Sequence, residues 1–344
     1  MNGIARVSQR VFLVLIALVF AATTVFAAPP MFKIAPKGKK KIRVGVIEIN
    51  VAIEISARLN QLHSKNAKDR GWQLEVYDLK DNVPEAGNVL NNMISAGYDA
   101  IIIHYFGVKG SENQVKKAFD KGIPIITVAA MGANYPGVIA DIGPMQGTTG
   151  AVVAEALAQK LSMGDKVVAI YIPALDNQVV RWLGAKGIFE AYHLPITREL
   201  LYPLTGDPFQ WAYDQTKNVL LGDSKKEIKG IWASFDGFGV NAARAAHELG
   251  RDDLLVSTVD DTSSSLAAIA NLPTMWGASG FACMFKEINA ATFELLDKIF
   301  KGEQVQSQKV IPFSPILVTK DNLPPKGYYV NQCGYKGPPD YVVK

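Results

Sequence analysis

The sequence predicts an α/β protein made of two successive parallel-sheet units, and three observations carry that reading. Runs of Ile and Val without polar alternation, such as Ile101, Ile102 and Ile103, alternate with amphipathic stretches of helical length; strands buried on both faces and covered by helices read this way. A glycine closes helix after helix, as at Gly71, Gly97 and Gly122, where a left-handed C-terminal stop is expected. The alternation runs through four strands and restarts near residue 148, so the 344 residues hold two units of similar layout.

In order, KIRVGVIEI (41–49) is an apolar strand and 55–71 an amphipathic helix. WQLEVYDL (72–79) is the second strand, 85–97 a helix, DAIIIHYF (99–106) the third strand, 111–122 a helix and PIITVAA (124–130) the fourth strand. The second unit opens on helix 148–164 and strand KVVAIYIP (166–173), then helix 179–194 and strand 196–204. Helix 208–224, strand 228–237, helix 238–250 and strand 254–261 follow. A short helix at 263–272 leads to the segment MWGASGF (275–281). Residues 283–302 form a long helix that needs a sheet to cover, and 309–323 read as a final extended segment.

Composition bounds the function. Hydrophobic residues are 49% of the chain and charged ones 20%, a globular balance. The net charge is +4, falling to about +2 without Arg6 and Arg10, which gives no basic field for nucleic acid. Those two arginines precede the apolar run VFLVLIALVFAATTVF, and Val25 and Ala27 supply the small residues of a cleavage site after Ala27 or Ala28. Residues 1–27 are therefore read as a secretory signal peptide and 28–41 as a basic linker, which implies a mature protein in the periplasm. Cys283 and Cys333 are the only cysteines. In an oxidising compartment they can pair, stapling the Gly/Pro-rich tail 324–344 to the body, or stand as two thiols; the sequence leaves both open.

The order of elements and several phrases, AGYDAIII (96–103) with VKKAFDKGIPIITV (115–128), GIWASFDGFGVNAARAAHELG (230–250), LLDKIFKGEQV (295–305) and ILVTKDNL (316–323), resemble the type I periplasmic binding proteins of the ribose/galactose-binding branch, which feed ABC importers. The resemblance covers roughly residues 40–323. It implies two doubly wound parallel-sheet lobes joined by three crossovers, placed near Ile139 to Gly143, Gly280 to Phe281, and Ile311 to Phe313. The N-terminal lobe would be 42–140 with 281–311, and the C-terminal lobe 141–280 with 312–323.

In open parallel sheets, ligands meet the loops beyond the carboxyl ends of the strands. That rule collects Glu48, Asn50 and Glu54 after the first strand, His104, Tyr105 and Phe106 after the third, and Ala129, Ala130 and Met131 after the fourth. In the second unit it collects Asp176, Asn177 and Gln178, with Arg181 and Trp182 in the helix behind them, then Phe235 and Asp236, then Asp260 and Asp261, with Ser279 at a crossover. Aromatic faces stack on sugar C–H faces or cations, and carboxylates and amides bind hydroxyls. The expected ligand contacts are Glu48, His104, Tyr105, Phe106, Gln178, Arg181, Trp182, Phe235, Asp236, Asp260 and Ser279. Asp261 reads as the N-cap of the helix at 263–272, leaving Asp260 for the ligand.

Departures from the monosaccharide pattern bear on the ligand. Relatives of the branch usually carry Asp-Arg after the fourth strand, where Ala129 and Ala130 stand, and Asp-Asn at the first crossover, where Gly143 and Pro144 stand. Their helix-start arginine falls at or beside Trp182, with Arg181 next to it; Asp236 and Asp260 match family positions. The pocket is thus more aromatic and less basic than a monosaccharide site. No nucleophile elbow, HExxH, P-loop or dinucleotide fingerprint is present, and the four histidines show no metal spacing, so neither enzyme activity nor a cofactor or metal is expected. The expected function is capture of a small polar ligand, a sugar or polyol, by a monomer that delivers it to an ABC permease. The alternatives are a sensor that signals to a membrane receptor kinase, and a binder of a small organic cation or aromatic solute.

Overall fold

The computed structural model describes residues 30–38, 41–280 and 284–323. Cys283, Cys333, Phe281, the leader and the C-terminal tail, with every expectation placed on them, lie outside the described residues.

Two six-stranded sheets organise the chain. The first contains β1 (Arg43–Glu48), β2 (Gln73–Asp78), β3 (Ala100–His104), β4 (Ile125–Val128) and β5 (Val138–Pro144). The second contains β6 (Lys166–Tyr171), β7 (Ile196–Leu201), β8 (Ile228–Ala233), β9 (Leu255–Val259) and β10 (Met275–Gly280). Two closing strands, β11 (Lys309–Phe313) and β12 (Ile316–Thr319), complete one sheet each. The orders are β11-β5-β4-β3-β1-β2 and β12-β10-β9-β8-β6-β7. Every neighbouring pair is parallel except β10 and β12, which run antiparallel. The final extended segment of the sequence is thus two strands on different sheets, with the chain passing between them at 314–315. β5 stays in the first sheet along its whole length, so the first passage follows Pro144 rather than falling within 139–143.

Burial explains the unbroken Ile/Val runs. Val44, Val46, Ile47, Ile101, Ile102, Ile125 and Ile126 are fully enclosed, because helices cover both faces of the sheet. The edge strands β2 and β7 are mostly exposed and carry Glu75, Arg198 and Glu199, charges that discourage edge-to-edge pairing.

The helices are α1 (Glu54–Asp69), α2 (Ala86–Ser95), α3 (Glu112–Asp120), α4 (Gln146–Ala158), α5 (Asp176–Ala191), α6 (Pro208–Gly222), α7 (Asp236–Glu248), α8 (Ser263–Asn271) and α9 (Phe285–Phe300). Although α9 follows the second sheet in sequence, it packs on the first. Arg70 pairs with Asp297 at 2.9 Å, and Trp72 stacks on Phe293 with ring centroids 5.7 Å apart. Helices α4 and α5 approach backbone to backbone: a Cβ on Gly150 would meet the Arg181 carbonyl oxygen at 1.9 Å, and one on Gly184 the Gly147 oxygen at 2.1 Å. Only glycine allows that approach, which sets the Arg181 backbone against α4.

Candidate functional site

A cavity of about 350 Å³ opens between the carboxyl ends of the two sheets, within the size range of small-molecule sites. Its first-lobe wall comes from Asn50, Ile53, Ile55, Asp81 and Tyr105, and its second-lobe wall from Gln178, Arg181, Tyr202, Phe235, Asp236 and Asp260. Three residues at the turns after strands take left-handed backbone conformations without being glycine: Tyr105 at φ 61°, Ala129 at 54° and Asp260 at 72°. Such geometry is uncommon and concentrates at binding sites. Here the Tyr105 and Ala129 carbonyls accept from Asn177 Nδ2 at 2.9 and 3.0 Å, which ties the first lobe to the second. A second tie crosses at Glu54, whose carboxylate accepts from the Ser263 backbone N–H at 3.0 Å and from its hydroxyl at 2.8 Å. A third runs from the Tyr135 hydroxyl to Asp176 at 2.6 Å.

The second-lobe wall is built around Arg181. Its Nε donates to Gln146 Oε1 at 2.7 Å, and its Nη1 to the Ser234 carbonyl at 2.8 Å and Asp260 Oδ2 at 3.3 Å. Asp260 is 3% exposed, and its other oxygen, Oδ1, has no hydrogen-bond partner; neither has Gln178 Oε1. Buried polar atoms are ordinarily paired, so two orphan acceptors on one cavity wall call for donors from a ligand. Asp236 accepts from Thr262 Oγ1 at 2.6 Å and Ser264 Oγ at 2.9 Å. Burial foremost, then the neighbouring Asp260 and Glu54, push its carboxyl up to about 7. Burial also raises Asp260, against the opposing pull of Arg181. Phe235 lies against Phe238 with centroids 4.2 Å apart and faces Phe209 at 6.4 Å. That aromatic wall depends on Gly237, where a Cβ would meet both Phe209 and Phe235 within 2.5 Å.

Of the residues expected from sequence, Tyr105, Gln178, Arg181, Phe235, Asp236 and Asp260 come together here. Five others do not line the cavity. Trp182 is 3% exposed and sits among Tyr171, Trp232 and Phe189, at 5.6, 5.5 and 6.5 Å, in the core of the second lobe; Arg181, its neighbour, takes the cavity position. Ser279 is fully buried and donates to the Thr149 carbonyl at 2.6 Å. Phe106 is 2% exposed and packs in the core. Glu48 and His104 are fully buried and satisfy each other. His104 Nδ1 lies 2.7 Å from Glu48 Oε2, Ser56 and Asn60 donate to the same carboxylate, and His104 Nε2 lies 3.2 Å from His63 Nε2. His63 in turn reaches Asn289 on α9 at 2.8 Å. Burial first and His104 second drive His63 down to about 3, so it stays neutral. The cap of α8 is Thr262, which accepts from Ser265 N, rather than Asp261.

The sequence reading missed Asp81, Tyr202, Leu204, Asp207 and Phe209. The strand-end rule reaches all of them, since they follow β2 and β7, but the sequence reading did not apply it to those two strands. Among the described residues no cluster of His, Cys, Asp and Glu could hold a metal ion, and no described helix is long and apolar enough to cross a membrane.

The family model described as "Periplasmic binding protein domain" matches residues 55–302, most of the chain. The chain belongs to the periplasmic binding protein family. Its relatives in that family include the ribose import binding protein of Salmonella typhimurium, 25% identical over 74% of this chain and 83% of the relative. A putative rhizopine-binding protein of Rhizobium meliloti is 26% identical over 74% of this chain and 82% of the relative. Among solved structures, the Caulobacter myo-inositol binding protein bound to myo-inositol superposes with a TM-score of 0.75 at 19% identity, over 88% of this chain and 99% of that one. That likeness shows the same two-lobed fold. The family consists of solute-binding proteins, and the cavity between the lobes of this member lies where the strand-end rule places a ligand.

Proposed function

We propose that this periplasmic binding protein captures a small hydroxyl-bearing ligand between its two lobes and delivers it to an ABC importer. The observation that carries the proposal is the pair of buried, unpartnered acceptors, Asp260 Oδ1 and Gln178 Oε1, on residues lining a cleft that Tyr105 and Phe235 also line. Hydroxyls would satisfy the acceptors, and ring faces would cover the C–H surface of a sugar or polyol. Relatives named for ribose and xylitol, and a neighbour bound to myo-inositol, support that ligand class. In this reading the ligand-contacting set is Tyr105, Gln178, Arg181, Phe235, Asp236 and Asp260. The protein binds without transforming its ligand, works as an exported monomer released from the leader 1–27, and closes by hinge motion of lobes comprising 42–144 with 285–313 and 146–280 with 316–323. A thermal-shift screen of the mature protein against sugars and polyols tests this: a ligand at a hundredfold its Kd adds roughly 2.7 kcal/mol of stability. Loss of the response in Asp260→Asn, with folding retained, would place it in this cavity; an undiminished response in that variant would move the site elsewhere.

A further inference from the structure

We infer that the captured ligand carries a protonated amine on its hydroxyl-bearing frame, with Asp236 and Asp260 as its counter-charges. The inference rests on the capture reading above and adds the charge of the ligand to it.

The donor and acceptor inventory of the cavity is lopsided. A sugar hydroxyl both donates and accepts, so a site for a neutral sugar needs donors as well as acceptors. The donors here are largely committed inside the protein. Tyr105 donates to the Ile55 carbonyl, Tyr202 to the Gly206 carbonyl, Asn50 to Asp81, and Asn177 to two first-lobe carbonyls. Arg181 is engaged by Gln146, the Ser234 carbonyl and Asp260. Among the fully buried side-chain atoms of the lining, what remains unpartnered is acceptor, Asp260 Oδ1 and Gln178 Oε1, on residues 3% and 6% exposed, while Arg181 Nη2 and Gln178 Nε2 are the donors left for hydroxyls. An ammonium group is donor-only and fits that remainder.

Charge points the same way. The lining holds Asp81, Asp207, Asp236 and Asp260 against a single arginine, with no lysine or histidine. Arg181 sits on Asp260, and its hydrogen bonds go to Gln146, Ser234 and Asp260 rather than to Asp236. The groups facing Asp236 are Asp260 and the Thr262 and Ser264 hydroxyls from its own lobe, and Glu54 from the first lobe, which Arg58 approaches at 3.5 Å. Asp207 also caps α6. Enclosing uncompensated carboxylates in a low-dielectric cavity is unfavourable, and a neutral ligand that displaces water leaves them uncompensated, whereas a cation offsets them. Tyr105 and Phe235 offer ring faces to the same cation. An anionic ligand would meet repulsion from four sides.

The pH dependence follows with a definite sign. The raised carboxyl of Asp236, near 7, is half protonated at neutral pH. An ammonium favours the ionised form, so its affinity should be full above pH 7 and fall as pH drops below, with a proton released on binding near pH 7. A neutral ligand, which leaves the carboxyl uncompensated, favours the protonated form and so has a linkage of the opposite sign.

The test is calorimetry and thermal shift with matched neutral and amino probes: D-glucose and D-glucosamine, myo-inositol and its monoamino derivative, and linear polyols with their amino counterparts. At pH 7.0 the amino member of at least one pair should bind about tenfold more tightly than its neutral partner, and lose about tenfold on going to pH 5.0 while the neutral partner does not weaken. Asp236→Asn should erase the preference and its pH dependence. Should that variant fail to fold, titration of the wild-type protein in two buffers of different ionisation heat decides the question by counting protons released. Equal or tighter binding of the neutral members, or binding of an amine without proton release, overturns the inference and leaves the capture reading standing. A panel in which neither kind binds overturns the capture reading as well.

Discussion

In the first lobe, Glu48 and His104 at the strand ends bond each other behind the cavity; in the second, Asp236, Asp260 and Gln178 line it. Glu48, His104, His63 and Asn289 form a closed chain in which the carboxylate also collects Ser56 and Asn60. Asp260 and Gln178 each keep an unpartnered acceptor, and Asp236 keeps its carboxyl near 7 beside another carboxylate. Both sets are buried polar groups at or behind strand ends, and both look alike in sequence. The difference is position and partnership together: Glu48 and the two imidazoles bond one another away from the cavity, whereas Asp260 and Gln178 line it with an acceptor left over.

That contrast predicts opposite readouts. Removing a first-lobe member should destabilise without touching recognition. Glu48→Ala takes the partner from His104 and strands Ser56 and Asn60, so unfolding should become easier by about 3–5 kcal/mol, the range for breaking a buried pair. Ligand affinity of the folded fraction should be unchanged. Denaturant melts alongside calorimetry check both, and a large affinity loss in a well-folded variant would bring Glu48 back into the site. Trp182→Ala sharpens the same point in the second lobe. Its ring is packed among three aromatics rather than over the cavity, so the variant should lose about 3–5 kcal/mol of stability and keep its Kd.

Asp260→Asn is the reverse experiment. The shape is kept, but the charge facing Arg181 and the acceptor capacity of Oδ1 are reduced, and binding should weaken by about 1–3 kcal/mol. Calorimetry with any ligand found in the screen measures it. Unchanged affinity would erase the distinction between the two lobes.

How far the sequence could go follows from the same physics. Strands and helices were readable because continuous apolar runs and glycine stops are local signals; that α9 needs a sheet to cover was local too, but its return to the first sheet came from the resemblance to the binding-protein family. The strand-end rule collected several of the loops that line the cavity and passed over those after β2 and β7. It could not say which side chain at a loop turns inward. Arg181 and Trp182 are adjacent, and only the glycine-mediated contact of α4 with α5 fixes which of them reaches the cavity. His104 precedes Tyr105 by one residue, yet the left-handed turn at Tyr105 puts the tyrosine on the wall and leaves the histidine in the core. The pairing of Glu48 with His104 spans 56 residues, and no local pattern encodes it. Asp81 lies on the loop after one exposed edge strand and Phe209 in the first turn of the helix after the other, where polar and aromatic residues look like ordinary surface.

The smallest effect should come from the seam between the lobes. Ser263 donates its backbone N–H and its hydroxyl to Glu54 across the cleft. Ser263→Ala removes only the hydroxyl bond and leaves the backbone one, in a partly exposed setting, so the change should be about 0.5–1.5 kcal/mol. Because this tie joins lobes rather than contacting the cavity wall, it should act on the closed state as a whole. Release should speed by roughly threefold to tenfold while association scarcely changes, as most affinity differences between related complexes lie in the off-rate. Stopped-flow measurement on the variant separates the two rates. A slower association with unaltered release would show that Glu54 and Ser263 guide the ligand in, and would end their assignment as a latch.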